Sequence, residues 1–81
     1  MASHHSLSIA LIQQQDWQSA HQLIQQHDDM LSCMIHGYLH LLEGDKNNAT
    51  YWYNRADQLL PVGSMEDELA RLSKLSEAEA N

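Results

Sequence analysis

Two stretches of this chain echo one another 29 residues apart, and that echo limits the fold more than any other feature of the sequence. Asp16 aligns with Asp45, Ala20 with Ala49, Ile12 with Leu41 and Ile24 with Tyr53. Each unit reads as a helix, a tight turn closed by an Asp, and a second helix with Ala four positions after that Asp. The Asp is a strong N-cap because its carboxylate accepts from the exposed amides of the first helical turn. A small residue one turn later lets paired helices approach closely, which is how helical-hairpin repeats are built. Residues 44–60 carry the pattern most fully. Gly44 ends one helix and Asp45 opens the next, and Ala49, Trp52, Tyr53, Ala56, Leu59 and Leu60 then recur at the spacing of one buried face.

Little else interrupts helix. Pro61 is the only proline, the glycines are Gly37, Gly44 and Gly63, and no stretch alternates apolar and polar residues long enough for a strand. Five helices are expected. The first runs from about Ser6 to Gln14. The second runs from Asp16 to about His27, with Trp17, Ala20, Leu23 and Ile24 inward. The third follows Asp28-Asp29, where carboxylates favour a helix N-terminus, and runs to about Glu43 with a stripe through Leu31, Met34, Ile35, Tyr38 and Leu42. The fourth is the segment after Asp45, stopped near Pro61. The fifth opens at Ser64, where Ser64 and Asp67 resemble a capping box, and continues through Leu69 and Leu72. The expected fold is therefore all-α, one domain over residues 1–81. It comprises two antiparallel hairpins, 6–27 and 29–60, a capping helix at 64–77, and flexible termini that take in His4, His5 and the final Ser76–Asn81 segment. A domain of this size buries only about 60–65% of its unfolded surface, so completion by a second copy, a homodimer, is expected.

Charge excludes some partners. The net charge is −7, and residues 1–45 hold five carboxylates and all six histidines but no Lys or Arg. Phosphate backbones and anionic membranes would meet a repulsive field, so neither nucleic acid nor membrane is expected as a partner. Cys33 is alone, which rules out an internal disulfide and a cysteine metal framework. Apolar runs are too short to span a bilayer, and the N-terminus lacks the basic region of a signal peptide. A reduced, cytoplasmic setting follows as the expectation.

At residues 43–56 the chain resembles a known class. Glu43-Gly44-Asp45, Ala49, Tyr51-Trp52-Tyr53 and Arg55-Ala56 resemble the turn and second helix of tetratricopeptide-type and Sel-like short helical repeats, where an Ala-x-x-Trp-Tyr-x-x-Ala core is typical. With His36-Gly37-Tyr38-Leu39-His40 before it and the turn from Asp16 to His21, the string is similar to a group of small uncharacterised all-helical proteins. The resemblance covers roughly residues 10–60. It implies a helical-repeat fold and no particular activity. A 29-residue period is shorter than the usual one, and two units fall below the three or so of an independent solenoid.

Two constellations carry chemistry. His36 and His40 stand one helical turn apart with Glu43 continuing the stripe, a ligand set suited to zinc or nickel. The stripe falls opposite the Leu31–Tyr38–Leu42 face, outside that helix's main core. The competing assignment is a polar flank bonded to a neighbouring helix, and the same structural role is expected of His21, reaching across to the third helix. The second constellation is Tyr51 and Arg55, an outward pair of the residue types that dominate binding hot spots; the alternative is a guanidinium simply stacked on a ring. Cys33 has nothing nearby to activate its thiol, Gly37 suggests close helix packing, and no catalytic residue set is visible. The expectation is a non-enzymatic module that binds a protein or peptide through a helix groove, with a metal- or small-ligand-binding protein using His36, His40 and Glu43 as the alternative.

Overall fold

The computed structural model of the chain describes residues 3–80. It is all-helical among those residues, with α1 His4–Gln13, α2 Trp17–Ile24, α3 Met30–Leu42, α4 Lys46–Arg55 and α5 Met65–Ala80. The five expected helices are all present.

The 29-residue echo is a geometric repeat. Asp16 and Asp45 are both N-caps, with φ/ψ of −93°/71° and −96°/78°, and each carboxylate accepts at 3.3 Å from the amide three residues on, Ser19 or Asn48. The residues before them, Gln15 and Gly44, take left-handed φ values of 64° and 80°. Amides of Asp16 and Asp45 then donate to the carbonyls of Leu11 and His40, both at 2.9 Å, closing the end of the first helix in each hairpin. Ala20 and Ala49 are completely buried.

α3 is the centre of the molecule. It packs against all four other helices, most extensively against α4, and every residue from Leu31 to Leu39 is buried. α5 does not stack along α4. It crosses back onto α1 and α3 and so caps both hairpins at once, with Leu72 fully buried beneath it. A buried polar chain fixes its register. The Tyr53 hydroxyl donates to Glu68 at 2.6 Å, and the same carboxylate takes two 2.8 Å bonds from Arg71. Tyr38 Oη donates to the Met65 carbonyl at 3.1 Å.

Several local expectations are corrected. α4 ends at Arg55 rather than near Pro61, because Asp57 adopts φ 58° and the Gln58 amide turns back to the Tyr53 carbonyl at 2.9 Å. Leu59 therefore leaves the buried face and stands 85% exposed. α2 stops at Ile24 instead of His27. Trp17 is 42% exposed rather than part of the core: as the first residue of α2 its side chain points back past the helix end. His4 and His5 belong to α1, which starts early because Ser3 and Ser6 form a capping box. α5 runs on through Ala80, with Glu79 tied to His5. Of the termini expected to be flexible, Met1, Ala2 and Asn81 lie outside the described residues.

Gly37 explains how closely α3 and α4 meet. A Cβ placed there would lie 2.6 Å and 2.8 Å from ring carbons of Tyr53 and 3.2 Å from the Ala49 carbonyl oxygen. Its counterpart 29 residues earlier is the fully buried Ser8, a small residue at the equivalent position of α1. In an exposed helix Gly→Ala stabilises by about 1 kcal/mol. At Gly37 the buried Tyr53 ring cannot retreat, so Gly37→Ala is expected to destabilise the fold by about 1–3 kcal/mol through overpacking. Urea unfolding checks this, and a stabilised variant would show that the helices separate freely.

Candidate functional site

The flank of α3 that carries His36 and His40 faces α2 and α4, so it is enclosed even though it lies off the Leu31–Tyr38 face. His36 is buried, at 5% exposure, and His40 is only partly accessible. Their rings stack at a centroid distance of 5.1 Å and an interplanar angle of 15°. α2 supplies a third imidazole. His21 meets His36 edge-on at 4.7 Å and His40 edge-on at 5.5 Å, and its Nε2 lies 3.0 Å from His36 Nε2, one nitrogen donating and the other accepting. One ring nitrogen from each of the three histidines lies within 4.8 Å of the others. His21 thus makes the cross-helix bond expected of it.

Glu43 stands elsewhere. Its side chain is 57% exposed, and Oε2 lies 3.5 Å from His40 Nδ1, with Asp45 Oδ2 at 3.9 Å from the same nitrogen. The three converging side chains are His21, His36 and His40, with Glu43 behind His40 rather than beside it. The cause is distance along the helix: Glu43, still in helical conformation at the C-cap of α3, stands seven residues and about 10 Å along the axis beyond His36. His36 Nδ1 and His40 Nδ1 are buried without a hydrogen-bond partner. Burial, and then the neighbouring His21, His40 and Arg55, hold the His36 imidazole down to about 4, so it is neutral at neutral pH.

Trp52 joins this cluster to the second constellation. Its ring stacks on His36 at 3.9 Å, and the Arg55 guanidinium sits 5.0 Å from its centroid and 5.9 Å from that of Tyr51. Tyr51 is outward as expected, 53% exposed, and meets Trp52 edge-on at 5.1 Å. The Tyr51–Arg55 edge and the histidine group, separate in sequence reasoning, form one continuous ring assembly through Trp52.

A further polar cluster was not legible in the sequence. His5 is buried, with Nε2 on Asp29 Oδ2 and Nδ1 on Glu79 Oε2, linking α1 to the N-cap of α3 and to the end of α5. His4 Nε2 reaches Asp29 Oδ1 at 3.0 Å, and its ring stacks on His27 at 3.7 Å. Partial burial opposes ionisation of Asp29. The hydrogen bonds from Ser32, His4 and His5 outweigh it and hold the carboxyl below the usual carboxylate range. Only the capping role of Asp29 had a local signal, because its histidine partners lie 24 and 25 residues away. Cys33 is buried and donates to the Asp28 carbonyl at 3.5 Å, and burial pushes its thiol up, away from nucleophilic use.

Two open depressions mark the surface, the first of them beside the histidine group. One, of about 570 Å³, lies beside His21 and is bordered by Trp17, Gln22, Gln25 and Glu43. The other, also about 570 Å³, lies between the α4–α5 loop and α5, with Leu59, Pro61 and Val62 on one side and Asp67 and Arg71 on the other. No family model matches the chain, and neither a curated protein nor a solved structure matches it.

A pH dependence follows from His36. Its folded value is depressed below its ordinary 6.5, so the unfolded chain binds the proton more readily. Stability is then complete above about pH 6.5 and is lost as the pH falls towards 4. Asp29 acts in the same direction at lower pH, its contribution present above the ordinary carboxylate value and lost below it. Melting temperature should fall across pH 6.5 to 4. His36→Phe, which keeps a ring against Trp52 but cannot titrate, should flatten that decline, and an unchanged slope would contradict the assignment.

Proposed function

We propose that the protein is a non-enzymatic interaction module, a short helical-repeat hairpin pair of tetratricopeptide-like form, and that its first partner is a second copy of itself. The observation carrying this reading is the segment that joins α4 to α5. Because α5 turns away to α1 and α3, the outer side of the loop stands clear, with Leu59 at 85% exposure and Val62 fully exposed while Leu60 packs on the core. Exposed apolar side chains placed together favour a docking surface over a free one. The inner face of α1 and α3 is already occupied by α5, and Leu59 and Val62 are the most exposed of the large apolar side chains, with the outer edge of α4, Tyr51 and Arg55, beside them.

Charge favours a second copy at this place. Residues 58–65 contain no ionisable side chain in a chain of net charge −7, so two acidic molecules meet there with the least repulsion. Arg55 and Asp57 are both exposed next to this loop, and a two-fold pairing would set the cation of one copy against the carboxylate of the other. A cytoplasmic setting belongs to the same proposal; no helix among the described residues is long and apolar enough to cross a membrane.

Sedimentation equilibrium should show concentration-dependent dimers for the wild type. Leu59→Ser with Val62→Ser should be monomeric with unchanged helicity, since both side chains contribute nothing to the core, and Tyr51→Ala with Arg55→Ala should weaken association about tenfold or more. A wild type that stays monomeric to the limit of solubility overturns the self-pairing.

A further inference from the structure

We infer that His21, His36 and His40 form a binding site for one divalent transition-metal ion with a preference for imidazole nitrogen, of the zinc, nickel or cobalt class. This goes beyond the docking surface and is tested independently of it.

The case rests on convergence. Three imidazoles from two helices, held by neighbouring groups, bring one nitrogen each to within 4.8 Å of the others, and His21 Nε2 and His36 Nε2 are 3.0 Å apart. A tetrahedral zinc ion with bonds of about 2.0–2.1 Å spaces its ligand nitrogens about 3.3 Å apart. The His21–His36 pair is already near that edge length, and rotation of the partly accessible His40 closes the remainder. The i, i+4 spacing of His36 and His40 keeps both rings on one side of α3.

The surroundings are those of a ligand set rather than of a hydrogen-bonded core. The one hydrogen bond among the three rings joins His21 to His36, and it leaves His36 Nδ1 and His40 Nδ1 buried without a hydrogen-bond partner. Buried polar atoms are normally satisfied, and a group that is not calls for an explanation. Trp52 stacked at 3.9 Å fixes the plane of His36. Glu43 at 3.5 Å and Asp45 at 3.9 Å approach Nδ1 of His40 without a hydrogen bond to it, so a small shift on metal binding would let a carboxylate accept from that nitrogen and leave Nε2 for the ion. Three nitrogen ligands leave a fourth position for water, and the depression beside His21 gives solvent a route to it. An all-imidazole set does not suit magnesium or calcium, which require oxygen ligands. By contrast, the His4–His5–Asp29 cluster has its facing atoms engaged with one another and presents no comparable vacancy in bonding.

Trp52 supplies the readout. In a Trp17→Phe background, which removes the exposed indole, nickel bound at His36 should quench the remaining fluorescence with 1:1 saturation at micromolar concentration, and magnesium should have no effect. Zinc titrated into the wild type should shift the imidazole nitrogen resonances of His21, His36 and His40 together in nuclear magnetic resonance spectra, a measurement that requires no substitution. His21→Gln and His40→Gln should each weaken binding at least about tenfold, Glu43→Gln only a few-fold, and His4→Gln not at all. The proposal is overturned by resonance shifts confined to His4 and His5, by saturation only above about 0.1 mM, the range of adventitious surface binding, or by His21→Gln binding zinc as the wild type does.

Discussion

The structure depends on one close approach, that of α3 and α4 at Gly37. The missing side chain admits the Tyr53 ring against the α3 backbone, and that ring in turn carries its hydroxyl to Glu68. Glu68 is nearly fully buried and would be costly there as an unpaired charge. The paired bonds from Arg71 and the short bond from Tyr53 satisfy it, and burial together with the adjacent Glu68 drives the Tyr53 hydroxyl far above its usual range, so it stays a donor. A glycine in one hairpin thereby decides where the C-terminal helix lies. Once α5 is anchored by Glu68 on one side and Tyr38 on the other, it falls across α1 and α3 and leaves the α4–α5 loop uncovered. The exposed apolar loop is a consequence of the same packing that makes the core.

Much of this was legible in the sequence because it follows from local rules. The Asp caps at 16, 29 and 45, the turn at Gly44 and the buried Ala pair need only neighbours within a turn or two to act, and all appear as expected. Gly37 announced itself as a small residue in a helix interior, where a glycine has no local advantage. The end of α4 did not. Asp57 takes a left-handed conformation that sequence alone seldom assigns to a residue other than glycine, so the apolar spacing appeared to run on to Leu59 and Leu60. Periodicity also placed Trp17 inward, because a wheel records angular position and ignores where along the axis the neighbouring helix stops.

What escaped the sequence was the long-range pairing of polar groups. His5, Asp29 and Glu79 are spread over most of the chain and meet only because α1, α3 and α5 converge at one end of the molecule. The histidine group shows the same limit more instructively. His36 and His40 were found by their spacing, and their i+3 neighbour Glu43 seemed the natural third member. A helix can present i, i+4 residues to one point, but a residue seven positions beyond the first stands about 10 Å further along the axis. The third imidazole came instead from α2, whose register against α3 is set by the core and leaves no local trace.

The position of Trp52 gives that group its wider meaning. Its ring touches His36 and lies beneath Arg55, so it stands between the buried imidazoles and the outward Tyr51–Arg55 edge. α2, α3 and α4 each contribute a side chain to this stack, and no single helix can shift without disturbing the other two. An ion drawing the three imidazoles together would fix the His36 plane more firmly, and Trp52 with it. Ordering of that kind acts on any neighbouring surface that must lose freedom on binding. The aromatic stack is therefore the physical route by which occupancy of the histidine group would reach the edge proposed to receive a second copy, and it requires no movement of the backbone.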